Sequence, residues 1–344
     1  MTLLYPNSDF WWIWGYLLNQ KYNYFALRIG QMLLTLFIIV TILFLIFRLM
    51  PGNPMAAYID PTFTQEQQEI LMQQFGLDKP LWQQYLIYVY NLFQGKLGDS
   101  FFFRAPVIEI ILKVLPNTIY LMLGSLILAY ITGILGGVFL AWKRGTSSET
   151  IGTVFTLFTR AAPQFWVGMI LLAVLSFKLG WFPSAGASPA GVVYTSELEK
   201  LTSFVFLRYL FLPMLTLAIY LMGLPLLLMR TNMLDVMGEA YVDMARMRGL
   251  SEKRVMLKYV ARNAALPVVT AMAVGIGYAM GGNVVVETVF SWPGLGRILV
   301  KAVSSGDYPL AQGAFILIAA VMVTMNFVAD ILYSLLDPRV KIGG

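Results

Sequence analysis

The chain has 344 residues, 58% of them hydrophobic and only 12% charged, where a soluble domain carries about 25% charged residues, so much of its surface faces something other than water. Cysteine and histidine are both absent, which excludes a disulfide framework, a thiolate nucleophile, a Ser-His-Asp triad and a His- or Cys-ligated metal centre. In so apolar a chain a net charge of +6 reads as basic inward-facing loops and not as a nucleic-acid surface.

The first 25 residues hold the run Phe10-Trp11-Trp12-Ile13-Trp14, too short to span a bilayer. Its aromatics fit a helix or coil at the membrane interface, or an ordered terminus packed on the first span. No basic n-region precedes the first apolar run, which is long enough to be an anchor, so no cleavable signal peptide is expected. Beyond residue 25, six charge-free stretches meet or approach the roughly 20 residues that cross a bilayer as helix. They run between Arg28 and Arg48, Lys113 and Lys143, Arg160 and Lys178, Arg208 and Arg230, Arg262 and Glu287, and Asp307 and Asp330. The third is short, and because residues 150–159 are also uncharged it has room to begin earlier. Helix is the geometry that satisfies the backbone in lipid, and the alternating ten-residue segments of a membrane barrel are not visible.

With the N-terminus inside, 14 of the 24 Lys and Arg residues fall on inner segments. Five of the other ten lie in the long segment 48–113, where the positive-inside rule is weak. Both termini are therefore expected inside, with 50–113 and 178–208 outside. In 50–113, Thr64 with Gln67 reads as a capping box opening a short helix that Gly76 closes. A second helix is predicted from about Pro80 to Gly95; Trp82, Tyr85, Leu86, Val89, Tyr90 and Phe93 form one apolar stripe that rests on the membrane surface or on neighbouring spans. Segment 178–208 reads as an irregular loop. No internal repeat or soluble domain boundary is evident.

Segment 230–267 is the most informative stretch outside the spans. Ala240, Tyr241, Met244 and Met247 share one helical face; Glu239, Asp243 and Arg246 share another. Glu239 and Asp243 sit near the helix start and Arg246 and Arg248 near its end, as the helix dipole favours, and Gly249 is placed to turn the chain through the left-handed conformation. A short amphipathic helix held by two spans is suited to passing force from a partner into the membrane, although a merely basic inner loop satisfies the same pattern. In the fifth span, Ala271, Ala273, Gly275, Gly277, Gly281 and Gly282 make a small-residue face fit for close helix packing or for leaving a solute room. Glu287 either lines the outer mouth or anchors the Pro293-Gly294 turn.

Glu239-Ala240-Tyr241, Gly249 and Leu266-Pro267 resemble the "EAA" loop of bacterial ABC importer permeases. The longer interval before Leu-Pro and the Tyr at the third position resemble the dipeptide/oligopeptide/nickel branch, whose loop reads Asp-Tyr-Val-x-x-Ala-Arg-x-x-Gly-Leu-Ser; here Ala240 replaces the usual acid. The likeness runs from about residue 26 to 340. It includes Pro51-Gly52-Asn53-Pro54, Phe75-Gly76-Leu77-Asp78-Lys79-Pro80-Leu81, Leu97-Gly98-Asp99-Ser100-Phe101, Leu115-Pro116-Asn117-Thr118 and Pro163-Gln164-Phe165-Trp166. It continues through Glu287-Thr288-Val289-Phe290-Ser291-Trp292-Pro293-Gly294-Leu295-Gly296-Arg297, Asp307-Tyr308-Pro309 and Leu336-Asp337-Pro338-Arg339. Residues 1–25 are longer and more aromatic than the family's usual start.

The resemblance implies an all-α integral membrane protein of six transmembrane helices, like a type I ABC importer permease, with 26–340 as its transmembrane domain and 230–267 as a cytoplasmic coupling loop. It implies partners: a second homologous permease, two cytoplasmic ATPase subunits that use ATP-Mg, an extracytoplasmic substrate-binding protein and membrane lipid, with no nucleic acid and no cofactor on this chain. Carried over residue by residue, Glu239, Ala240, Tyr241, Met244, Ala245, Arg246 and Gly249 are the ATPase-coupling candidates, and Gly277, Gly281 and Glu287 the candidates for the translocation pathway. Peptides are the implied substrate, with oligosaccharides or nickel chelates as the alternative. The chain has no phosphate-binding loop, since its Gly95-Lys96 pair is followed by Leu. An ion-coupled transporter usually needs an ionisable group within its spans, a channel needs a charged ring or filter, and an intramembrane enzyme is disfavoured by the missing His and Cys.

Overall fold

The computed structural model describes residues 8–49, 78–279 and 282–336. The predicted helix from Thr64 to Gly76, the Pro51-Gly52-Asn53-Pro54 turn, Gly281 and Asp337-Pro338-Arg339 lie outside the described residues. Helix α1 (Ser8–Leu49) runs unbroken for 42 residues, so the aromatic N-terminal segment continues into the first span as helix. α2 (Leu81–Phe93) occupies the predicted 80–95 interval. α3 (Val107–Trp142) follows as a single helix through Pro116. α4 (Ser147–Ala161) and α5 (Gln164–Leu171, continued by a π-helical turn Leu172–Lys178) come next. The chain then makes α6 (Glu197–Thr202), α7 (Phe204–Leu221), α8 (Gly223–Val236) and α9 (Ala240–Met247). α10 (Glu252–Arg254) runs through a second π-helical stretch, Val255–Ala261, into α11 (Arg262–Ala279). α12 (Val284–Val289), α13 (Leu295–Ser304) and α14 (Tyr308–Leu336) complete the fold.

Among the described residues, four helical segments, 26–49, 107–142, 204–221 and 308–328, are long and apolar enough to cross a membrane, and a fifth span results if α4 and α5 are taken together. That pair differs from the expected third span. It begins at Ser147 and bends by 104° between its halves. Pro163 is the cause: it has no amide hydrogen to donate, and it drives Ala162 to an extended conformation (φ −67, ψ 134). The expected fifth span is also interrupted. α11 is described as far as Ala279, Gly282 turns with φ +78, and α12 carries Glu287 on a separate short helix. With Arg262 and Asn263 in its first turn, α11 is more polar than the four spans above.

α3 is the centre of the bundle. It packs along α7 and α8, and glycines on its contact face set the spacing. A Cβ on Gly133 would stand 2.7 Å from Pro225 Cγ, and one on Gly137 2.6 Å from the Leu226 carbonyl oxygen; on Gly124 it would meet Met214 Sδ at 2.9 Å. The closest helix approach is therefore on α3, whereas Gly275, in the small-residue face expected on the fifth span, would put a Cβ at a tolerable 3.4 Å from Leu126 and Tyr130. The main core joins α3, α7, α8, α11 and α12 around Phe206, Met229, Val260 and Trp292. A second cluster, including Val107, Ile111, Leu295 and Leu310, ties α3 to α13 and α14.

Candidate functional site

Two side-chain constellations stand at opposite ends of this bundle. At one end, α9 is strapped across the junction between α8 and α10. It is closed as the sequence predicts: Gly249 has φ +75, its amide donates to the Arg246 carbonyl at 2.9 Å, and the Leu250 amide donates to the Ala245 carbonyl at 3.4 Å. This is the paired bonding of a Schellman cap, which needs a residue in the left-handed region. No atom lies within 4 Å of a Cβ built on Gly249, so glycine is required there for backbone conformation and not for space.

The helix has two faces. Val242 (0% exposed) and Ala245 (4%) point into the bundle and join the main core. Tyr241, Met244 and Met247 point out, with exposures of 39%, 56% and 86%, and at a spacing of three they form one apolar row. Ala240 and Glu239 are exposed at the helix start, where Glu239 makes no side-chain cap. Of the seven coupling candidates, Ala245 alone faces inward, so its contribution is to seat the helix.

Polar contacts fix the orientation. Arg246 pairs with Asp243 at 3.1 Å and, across the Gly249 turn, with Glu252 at 3.3 Å. Hydrogen bonding to Glu252 in particular raises the pKa of the guanidinium above its ordinary value. Asn263 donates from Nδ2 to the Tyr241 hydroxyl at 2.9 Å, tying the exposed row to α11. Val242, Glu252 and Asn263 were not among the sequence candidates. The i, i+3 spacing of Asp243 and Arg246 is visible in the sequence; the Glu252 and Asn263 contacts exist only once Gly249 has reversed the chain.

At the other end, motifs far apart in the chain close into one knot. Thr118 donates to Glu287 Oε1 at 2.8 Å and accepts from the Leu295 amide at 2.7 Å. Glu287 Oε2 accepts the Arg297 amide at 3.0 Å. Asn117 donates to the Pro293 carbonyl at 2.8 Å while Trp292 Nε1 returns a bond to the Asn117 carbonyl at 3.0 Å. Glu287 is 0% exposed and serves as the anion at the start of α13, where free amides and the helix dipole favour negative charge. Of its two sequence readings, the geometry matches the anchor of the Pro293-Gly294 turn. A Cβ on Gly294 would stand 2.5 Å from the Glu287 carboxyl carbon. Gly277 lies on α11 and Glu287 on α12, and Gly281 lies outside the described residues. Beside this knot, Asp307 is also 0% exposed. It accepts from Ser100 Oγ at 2.5 Å, the Phe102 amide at 3.0 Å and the Leu310 amide at 3.2 Å, capping α14 and holding the segment before α3. Among the described residues no cluster of acidic side chains fit for a metal ion is present.

Residues 133–342 match the family described as binding-protein-dependent transport system inner membrane component, and residues 22–122 match that of its N-terminal membrane component. The chain is 40% identical over 305 residues to the oligopeptide transport system permease protein AppB of Bacillus subtilis, covering 88% of this chain and 94% of that one. It is 36% identical over 339 residues to the di/tripeptide transport system permease protein DppB of Pseudomonas aeruginosa, covering 93% and 98%. To the glutathione transport system permease protein GsiC of Escherichia coli K12 it is 34% identical over 319 residues, covering 93% and 99%.

Proposed function

The chain belongs to the family of binding-protein-dependent transport system inner membrane components, and from that premise we propose that it forms half of a peptide translocation pathway and receives a cytoplasmic ATPase on α9. It is a multi-pass inner-membrane permease component of an ABC importer with the type I permease fold, and not an enzyme. Such components work with ATPase and substrate-binding partners. The finer composition proposed here is a second homologous permease, two ATPase subunits that use ATP-Mg, and one extracytoplasmic binding protein.

The observation that carries the coupling role is the outward row Tyr241, Met244 and Met247 on a helix whose other face is locked into the core. A helix held this firmly transmits displacement, and apolar side chains of this kind give a partner a surface to grip. Peptides as substrate are supported by relatives named for oligopeptides, di- and tripeptides and glutathione; oligosaccharides, nickel chelates and ion-coupled transport are not favoured.

In the orientation proposed, both termini and the α9 end are cytoplasmic. Because the chain has no cysteine, single introduced thiols report sidedness. An impermeant maleimide added to spheroplasts should label Cys at Thr64 or Ser196 and miss Cys at Ser251; labelling at 251 from outside overturns the assignment. The coupling role is tested with Met244→Arg in the assembled transporter. ATPase co-purification and peptide uptake should both fall at normal membrane abundance, and unchanged co-purification refutes the docking face.

A further inference from the structure

The Glu149–Arg230 pair lies away from both constellations described above. Arg230 sits on α8, ten positions before α9 begins, and Glu149 in the first turn of α4. Arg230 donates to Glu149 Oε1 from Nε at 3.0 Å and also from Nη2. The other carboxylate oxygen accepts the Gly145 amide at 2.6 Å, and Gly145, with φ +78, makes the turn between α3 and α4. The pair is largely shielded, with 25% of the Arg230 side chain and 11% of that of Glu149 exposed. With two guanidinium donors on one carboxylate oxygen and the Gly145 amide on the other, the charge-assisted contact holds the start of α4 to α8.

The surroundings show what it fastens. α3 and α8 are already one unit, with their backbones in near contact at Gly133 and Gly137. α4 is attached differently. Its seam with α3 and α8 includes an apolar groove of about 480 Å³ lined by Gly136, Phe139, Ile151, Phe155, Met222 and Leu226, and its far end breaks at Pro163 into the 104° bend. At the α9 end of that seam, the Glu149–Arg230 contact joins the first turn of α4 to α8, and α8 leads directly into α9.

We propose that Glu149 and Arg230 are positioning residues of the transport cycle: they make α4 travel with α8, so that a displacement of α9 reaches the bent α4–α5 pair. This rests on the coupling reading of α9 above, and the test separates the two. In the assembled transporter, Glu149→Gln and Arg230→Gln should each leave membrane abundance, ATPase co-purification and basal hydrolysis near normal. Substrate-stimulated hydrolysis and uptake should fall at least 10-fold. The exchange Glu149→Arg with Arg230→Glu should restore most of both. A role in folding alone would not move the ratio of stimulated to basal hydrolysis.

A second measurement does not depend on what is transported. Spin labels at Thr150→Cys and Arg248→Cys, with partner cysteines removed, should give one narrow distance that broadens in Glu149→Gln and narrows again in the exchanged pair. Normal stimulation in the single variants, no recovery in the exchange, an unchanged distance distribution, or loss of the whole complex in every variant including Arg230→Lys each overturns the proposal. A broadened distance with no peptide uptake by the wild type would instead refute the substrate reading and leave the fastener standing.

Discussion

At the end that carries α12 and α13, the carboxylates of Glu287 and Asp307 are 0% exposed and bonded to hydroxyls and backbone amides from other parts of the chain. At the α9 end, Asp243, Arg246 and Glu252 hold one another across the surface, and Arg246 is 38% exposed. The two arrangements differ in what they cost to disturb. An ion left buried without its partners costs roughly 3–5 kcal/mol, while an exposed ion pair contributes about 0–1 kcal/mol. The first end is therefore frame, and lesions there should remove the protein. The second is a surface held in one pose, and lesions there should remove coupling from a protein that is still present.

The sharpest way to break this contrast is Gly294→Ala. Its Cβ falls on the Glu287 carboxylate, which must move away from the start of α13, at a cost of roughly 3–5 kcal/mol. Membrane abundance and the melting temperature in detergent should both collapse; normal abundance would show that this end is not the frame. Thr118→Val, nearly isosteric, removes one donor to Glu287 and the acceptor of the Leu295 amide, and should cost about 1–3 kcal/mol. Thermal melting should show a clear drop with uptake per surviving molecule retained.

At the other end the effects on stability shrink while those on transport do not. Gly249→Val forces a β-branched residue to φ +75, a local strain of roughly 1–2 kcal/mol. It should reach the membrane at near-normal levels and lose uptake, whereas Gly249→Asn, whose side chain tolerates that region, should keep most of it. Equal loss in both variants would mean that the cap is not what matters. Arg246→Ala should shift melting by no more than about 1 kcal/mol equivalent and weaken ATPase co-purification, because α9 is then freed from α10. Mildest is Glu239→Arg, worth about 0.3–1 kcal/mol through the helix dipole. A larger effect on assembly than that of Gly249→Val would place Glu239 in direct contact with the partner.

Much of the α9 segment is legible in the amino-acid sequence, because it is local. The i, i+3 spacing of Tyr241, Met244 and Met247 and the single glycine at 249 specify a short helix and its stop within one short segment. The exposed row and the positive φ follow from them. Val242 escapes such a reading because two turns of helix have too few positions to show which apolar side faces in. α2 is legible in extent but not in use: its stripe divides, with Tyr85 against Phe44 at 5.2 Å while Trp82, Leu86, Tyr90 and Phe93 face outward. The bend at Pro163 is open to reading from proline's missing donor, but the charge-free run hides it, since hydropathy carries no direction.

What the sequence determined by itself was the solvent, the element type and the partnership class. Hydrocarbon-length runs without charge admit only helix in lipid, and the ordered motifs matched a permease family. What the tertiary structure decided was which distant residues meet. Thr118 and Glu287 are 169 positions apart, Ser100 and Asp307 207 apart, Glu149 and Arg230 81 apart. Nothing in their local spacing names the partner, because periodicity encodes which face of a helix is apolar and not which helix it will face. That choice is made by close approach, as where Gly133 and Gly137 let α3 touch α8, and by the requirement that every carboxylate taken out of water find its donors.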